Sequence, residues 1–248
     1  MIKLFVLDID GCIAFPFKTP DWVAINKIRE LNIHSRTEEY IPPITLCTGR
    51  PLPYAEAVAQ WLDIRLPFVF ESAGLFKWEG NAVITSPDVS TENLKRIIRI
   101  REWLRTEVLP GYDGVELEFS KMMDAGVVSA NTEAIDEIHA KVLDKIRTDH
   151  LNLEVHNTEV SVNILLPGNN KGAGIRLIAE NTGINLNEMA YIGDSSGDVP
   201  ALKEVAMPFA PANGTATVRT ISDVMTTKAT KAVFEAYQKV IAHNKSLL

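Results

Sequence analysis

Ile2-Lys3-Leu4-Phe5-Val6-Leu7-Asp8-Ile9-Asp10-Gly11 decides how the chain folds. Residues 2–9 form a near-continuous apolar run, the habit of a parallel strand buried on both faces. Strand periodicity sets Asp8 and Asp10 on the same side, and Gly11 lets the chain bend away. In open α/β sheets, ligands bind outside the carboxyl ends of the strands, where these two carboxylates fall. Carboxylates this close repel, so they need a cation, or one of them must take up a proton. An acidic turn at a strand end has the same appearance, so the motif alone does not settle the matter.

Outward from this strand, the chain alternates between strand and helix patterns. A helix is expected over 20–31, with Val23, Ile25, Ile28 and Leu31 on its apolar face, and a strand over 44–47. A helix over 52–62 carries Ala55, Val58, Ala59 and Leu62, and a third strand spans 68–70. Repeated βα units predict an α/β fold with a doubly wound parallel sheet. From about 81 to 167 the rhythm changes to a short strand, a long helix over 91–108, two strands, a helix over 132–149 and two more strands. Residues 116–119 and 160–164 alternate with period two, which predicts an antiparallel sheet with one open face, and Asn157-Thr158-Glu159 reads as a turn. After Pro167-Gly168 the βα rhythm returns: a helix from 171, a strand over 189–192, a helix from about 200 and a closing helix over 228–243. The expected organisation is a core of residues 1–80 and 168–248, interrupted by an α+β domain at 81–167.

Three further pieces follow in order. Thr48-Gly49-Arg50 ends the second strand with a hydroxyl and free backbone N–H groups. Lys171 stands at a helix start, where an ammonium and helix N-terminal amides can both face an anion. Gly193-Asp194-Ser195-Ser196-Gly197-Asp198 follows the strand over 189–192 and adds two carboxylates. Singly, these read as a turn former, a solvated cation and helix-capping acids.

Jointly, the four pieces resemble the haloacid dehalogenase superfamily and match the signatures of its phosphatase branch. The inserted segment resembles a C2 cap, and its α+β pattern is similar to the Cof-type (C2B) subgroup, which includes sucrose-phosphatase and other sugar phosphatases. Pro211-Ala212-Asn213 and the stretch after it are most similar to archaeal-type phosphoglycolate phosphatases. The resemblance implies that Asp8 is the nucleophile of an aspartyl-phosphate mechanism and that Asp10 is the general acid and base. It implies Mg²⁺ held by Asp8, the main-chain carbonyl of Asp10, and Asp194, with Asp198 and Ser195 behind them. Thr48, Gly49 and Lys171 would bind the phosphoryl group, and Arg50, Glu71, Ser72 and Asn213 would meet the substrate. The implied activity is hydrolysis of a small phosphate monoester, of the sugar phosphate or phosphoglycolate class. A phosphotransferase or phosphomutase on the same core, or a catalytically silent binding module, is the alternative. The chain departs from the subgroup at Cys12, where Thr is usual, at Gly197, where Asn is usual, and at Glu71-Ser72-Ala73-Gly74, which replaces the usual loop.

Composition bounds the remaining classes. Among 248 residues, 32 acidic against 25 basic side chains give a net charge of −7, which argues against a nucleic-acid partner. Two cysteines, Cys12 and Cys47, are too few for a disulfide framework and suit a reducing cytoplasm. The first apolar run stops at Asp8, so it is neither a signal segment nor a membrane span. The five histidines show no metal spacing, and there is no phosphate-binding G-x-x-x-x-G-K-[ST] loop. The basic stretch Lys95, Arg96, Arg99, Arg101 and Arg105 reads as a solvated helix face, and Trp61 and Trp103 read as core.

Overall fold

Strand β1 (Leu4–Leu7) is buried at every position, as a strand with parallel neighbours on both sides and helices on both faces must be. The protein is described here by a computed structural model covering residues 1–15, 18–87 and 89–248. After β1 come α1 (Trp22–His34), β2 (Ile44–Leu46), α2 (Leu52–Trp61), β3 (Phe68–Phe70), β4 (Gly74–Lys77) and β5 (Ala82–Thr85). Next are α3 (Thr91–Trp103), β6 (Val115–Leu117), β7 (Ala125–Ser129), α4 (Thr132–Thr148), β8 (Glu154–Thr158) and β9 (Ser161–Leu165). The chain ends with α5 (Lys171–Thr182), β10 (Met189–Ile192), α6 (Val199–Leu202), β11 (Met207–Ala210), α7 (Ala216–Arg219), β12 (Asp223–Val224) and α8 (Ala229–Lys245). It divides into two compact units, Met1–Ile84 with Lys171–Leu248, and Thr85–Asn170. Among the described residues, no helix is long and apolar enough to cross a membrane.

The first unit is built on a parallel sheet in the order β12-β11-β10-β1-β2. Alternate residues of β1 face opposite layers. Leu4 and Val6 join Ile175 and Ile178 of α5 and Leu202 of α6 in one core cluster. Phe5 instead meets Tyr237 of α8, with ring centroids 5.5 Å apart. Helices thus cover both faces, as a doubly wound fold requires. The strand order reverses at β1: the chain leaves to β2 on one side and returns at β10 on the other. The crevice beyond the ends of β1 and β10 is therefore the topological switch point, where α/β sheets bind ligands. Asn244 of α8 fastens the start of β1, accepting from Ile2 N (2.8 Å) and donating to Ile2 O (2.8 Å) and Tyr40 O (3.1 Å).

Several elements differ from expectation. The third strand is not simply one more parallel strand. It is linked to β2 through a parallel bridge between Cys47 and Val69, and it then forms an antiparallel sheet in the order β3-β4-β5. The cause is local: Glu71 and Ser72 both take left-handed φ values, +45° and +59°, which turn the chain back on itself. The short strand near 81 therefore pairs within the first unit. The helix expected from about 200 is the four-residue α6. Trp61 is half-buried and not part of the core, its ring 5.0 Å from that of the half-exposed Trp22.

The second unit is a four-stranded antiparallel sheet in the order β6-β7-β9-β8. Ile97, Ile100 and Leu104 from the α3 side and Ile135, Ile138 and Val142 from α4 pack with Val127, Val162 and Ile164 of the sheet. Their i, i+3, i+4 spacing is the amphipathic signature of a helix lying on a sheet. Ser90 and Asn131 cap the two helices, accepting from Asn93 N and Ala134 N. The helix expected to reach residue 108 ends at Trp103, and Leu104–Val108 winds as a wider π turn. The strand expected over 116–119 stops at Leu117, and Phe119 is exposed. The β8–β9 turn falls at Glu159-Val160, one residue later than expected, with Thr158 still in the strand. Arg101 is not part of a solvated face, because its guanidinium donates to the main-chain oxygens of Phe119 and Lys121. Trp103 packs against the unit's core.

Candidate active site

Asp8 is the first residue past β1, and its N–H donates to Ile192 O at the end of β10 (3.1 Å). That bond fastens two strand ends together, so the loops that follow them meet. Gly11 is what allows the approach. Its φ is +70°, and a Cβ there would lie 1.9 Å from Asp194 Oδ2, far inside any permissible contact. Gly193 has the same role after β10, where a Cβ would lie 2.3 Å from Asp198 Cγ. The glycines of both motifs thus leave room for the carboxylates of the β10 loop.

Lys171, the first residue of α5, reaches into this junction. Its Nζ lies 2.8 Å from Asp8 Oδ1 and 2.5 Å from Asp198 Oδ1. Oxygens of Asp8, Asp194 and Asp198 all fall within 4.8 Å of one another. Asp198 is fully buried and saturated. Besides Lys171, it accepts from Tyr191 OH (2.6 Å), Asp194 N (3.0 Å), Ser195 N (2.9 Å) and Ser195 Oγ (3.0 Å). It therefore shapes the loop and aims Lys171, while Asp8 and Asp194 keep oxygen lone pairs for a ligand. A hard divalent cation, which prefers carboxylate and carbonyl oxygens, fits this donor set.

The electrostatics point the same way. Burial, then the Asp198 carboxylate, push the Asp8 carboxyl well above the usual range, and Lys171 only partly offsets them. Burial and Asp198 likewise push Asp194 up to about 7. Burial also raises Asp198, but the ammonium of Lys171 and the donors around it outweigh burial and hold Asp198 low. For Lys171, burial opposes the charge, and Asp198 and Asp8 more than restore it. One buried cation faces three carboxylates, so two of them stay under pressure to protonate or to find a second cation.

Thr48 is buried at the end of β2, its N–H donating to Val69 O (3.2 Å) and its Oγ1 accepting from Arg50 N (3.1 Å). Gly49 lies beside it, 3.8 Å from Ser72 Oγ as measured from a built Cβ, so nothing crowds the position. Several residues expected to meet substrate are engaged elsewhere. Asn213 donates to Gly11 O (2.9 Å) and accepts from Ala229 N (2.8 Å), which fastens the first motif to the start of α8. Glu71 and Ser72 are buried, and their N–H groups hold the Thr48 loop through Arg50 O (3.0 Å) and Thr48 O (2.9 Å). Arg50 forks onto Asp10, Nε to Oδ2 at 2.7 Å and Nη2 to Oδ1 at 2.9 Å. Cys12 is buried with its Sγ 3.9 Å from Ile192 O. Burial pushes the thiols of Cys12 and Cys47 up, which disfavours the reactive thiolate at both. Tyr191 is the contributor missed from sequence. Its signal was a lone phenol in an otherwise aliphatic buried strand, and a buried hydroxyl needs a partner.

Comparison with known proteins identifies the class. Residues 112–236 match the haloacid dehalogenase-like hydrolase family. The phosphoglycolate phosphatase of Methanopyrus kandleri is 27% identical over 237 residues, covering 91% of this chain and 90% of its own. That of Methanothrix thermoacetophila is 24% identical over 250 residues, covering 99% and 98%. Among solved structures, a Thermoplasma acidophilum protein superimposes with a TM-score of 0.72 at 17% identity, covering 97% and 98%. The sucrose-phosphatase of Synechocystis, solved with sucrose and phosphate, does so with a TM-score of 0.67 at 14% identity, covering 99% of each chain. The chain belongs to the haloacid dehalogenase-like hydrolases. It is an enzyme, and its relatives place it with the phosphoric monoester hydrolases.

Replacing Gly11 with Ala should displace Asp194 or unwind the turn. The cost of a non-glycine residue at this φ alone is about 1–3 kcal/mol. Gly11→Ala is therefore expected to lower the urea midpoint and abolish turnover together, whereas Gly49→Ala, at an uncrowded position, should leave the midpoint in place.

Proposed function

We propose that this hydrolase is a Mg²⁺-dependent phosphatase that cleaves a small phosphorylated metabolite through an aspartyl phosphate on Asp8. The observation that carries this reading is the buried Asp8 carboxylate, held by Lys171 at a strand end and grouped with Asp194 and Asp198. Asp8, Asp194 and the main-chain carbonyl of Asp10 would hold the cation. When bound, Mg²⁺ supplies the charge that lets an anionic nucleophile approach an anionic phosphate.

In the first step an Asp8 oxygen bonds to phosphorus as the bond to the leaving oxygen breaks, and Asp10 delivers a proton to that oxygen. In the second, water attacks phosphorus, Asp10 takes its proton, and the Asp8–phosphorus bond breaks to release inorganic phosphate. Lys171 carries three N–H donors, two of them directed at Asp8 and Asp198, so one remains for a phosphoryl oxygen. Thr48 Oγ1 and the backbone of Gly49 serve the same oxygens. Fixed donors of this kind stabilise charge in the transition state without reorganising.

These groups recognise only a phosphoryl group and a cation, so leaving-group selection falls to the inserted unit, read as a C2B cap. The face of its sheet that carries Ser161 and Asn163 is polar, with Lys121 Nζ donating to Asn163 Oδ1 (2.7 Å). The names of the relatives support a sugar phosphate or phosphoglycolate as the substrate class. Free, buried Cys12 and Cys47 suit the cytoplasm.

Asp8→Asn should reduce phosphate release by about 10³-fold or more, as removal of a nucleophile does elsewhere, in protein that retains its circular dichroism. Near-normal turnover in a metal-replete preparation would remove Asp8 from this role.

Because Asp194 sits near 7 when no cation is present, metal binding must displace its proton below that pH. The sign follows from linkage: a carboxyl raised in the folded state stabilises it below the unfolded value and loses that stabilisation as pH rises through 7. A bound cation reverses the loss. The rise in Tm on adding Mg²⁺ is thus expected to be small at about pH 5.5 and larger at about pH 8. An equal rise at both would contradict the assignment of Asp194 as a ligand.

A further inference from the structure

We propose that Arg50 is a positioning residue for Asp10, setting the orientation from which Asp10 gives and takes its proton. This rests on the role given to Asp10 above. Burial and hydrogen bonds immobilise Asp8 and Asp198, but the Asp10 side chain is 37% exposed. A carboxylate at an open strand end can turn about χ1, and general acid–base catalysis needs it within about 2.6–3.2 Å of the oxygen it serves. The Arg50 fork removes that freedom by meeting both oxygens, at 2.7 and 2.9 Å. Paired bonds from a planar guanidinium fix the carboxylate plane as well as its distance. Each oxygen keeps a second lone pair for the proton in transit.

Arg50 is itself held. Its guanidinium lies 5.0 Å over the ring of Tyr54. Its N–H donates to Thr48 Oγ1 (3.1 Å), and its carbonyl accepts from Glu71 N (3.0 Å). The hydroxyl assigned to the phosphoryl group and the arm that aims the acid therefore belong to one three-residue loop. The left-handed Glu71-Ser72 turn braces that loop from behind. The phosphate loop and the general acid are thus mechanically linked, and Arg50 acts through Asp10 and not on the substrate.

The test is a double-mutant cycle of Arg50→Gln and Asp10→Asn, read as kcat/KM, which reports steps up to formation of the phosphoenzyme. The substrates are an alkyl phosphate, glycerol 2-phosphate, and an aryl one, 4-nitrophenyl phosphate, whose leaving group needs no proton. Inhibition by inorganic phosphate is measured alongside. Arg50→Gln should lower kcat/KM for the alkyl phosphate by about 10-fold or more, a share of the 10²–10⁴ that acid–base catalysis supplies. It should spare the aryl phosphate and leave phosphate inhibition unchanged. In the Asp10→Asn background it should cost nothing further, the non-additivity of residues acting as a unit. Arg50→Lys, which keeps the charge without the fork, should recover only some of the loss. Should Arg50→Gln fail to fold, Tyr54→Leu, which removes the ring beneath the guanidinium, should show a smaller loss with the same leaving-group dependence. Equal losses on both substrates, additive with Asp10→Asn and joined by weaker phosphate inhibition, would place Arg50 on the phosphoryl group and overturn the proposal. Full alkyl activity in Arg50→Gln, with Asp10→Asn impaired, would overturn the positioning role alone. Full alkyl activity in Asp10→Asn would overturn the role of Asp10 and the proposal with it.

Discussion

The ammonium of Lys171, buried between Asp8 and Asp198, is the interaction on which the site depends. A lone charge in such a place would be driven to neutrality, and two carboxylates beside it without a cation would be driven to protonate. Lys171 and Asp198 hold one another charged, while Asp8 stays under pressure to protonate. Asp198 makes this possible by saturating both its oxygens with Lys171, Tyr191 and the 194–195 loop. Its negative charge is then fixed in place and turned toward Lys171. What is left over is the excess of carboxylate on Asp8 and Asp194. That excess is relieved either by protonation or by a further cation.

The topology explains why these groups meet. Strands β1 and β10 are neighbours in the sheet but are separated by more than 180 positions in sequence, with Leu7 opposite Ile192. Their adjacent carboxyl ends place two acidic loops side by side, and α5 brings its first residue to the same edge. Such a crossover arrangement is slow to assemble, because long-range pairing must precede the contacts that reward it. In return it lets residues from four distant segments share one small volume. The second unit interrupts the chain between β5 and α5 without altering the order of the parallel sheet.

Much of this was legible in the residues. The run over 2–9 had the habit of a buried parallel strand, and its carboxylates fell at the end where open α/β sheets bind ligands. Thr48 and Asp194 stand just past strands and Lys171 opens a helix, positions that were legible singly, while their joint role came from the resemblance of the four motifs taken together. The antiparallel return at β4 was not legible, because it depends on Glu71 and Ser72 adopting left-handed φ values that neither residue type announces. The contact of Arg50 with Asp10 was hidden for another reason. A pairing across 40 residues depends on side-chain geometry, and an arginine after a strand reads equally well as a substrate contact. The bonds of Asn213 were hidden in the same way, since a carboxamide near a motif gives no sign of the backbone groups that its two ends hold. Tyr191 went unread because a strand position advertises burial and not the hydrogen bond of its hydroxyl.

The claim at the centre is that Asp8, held ionised by Lys171 and a cation, takes the phosphoryl group onto its own carboxylate. Rapid quenching during turnover of 4-nitrophenyl phosphate, followed by borohydride reduction and peptide mass analysis, tests this directly, because borohydride reduces an acyl phosphate and leaves a free carboxylate untouched. The account predicts reduction confined to position 8, dependent on substrate and on Mg²⁺. Reduction at Asp10, Asp194 or Asp198 instead, or continued turnover with position 8 never modified, would contradict it.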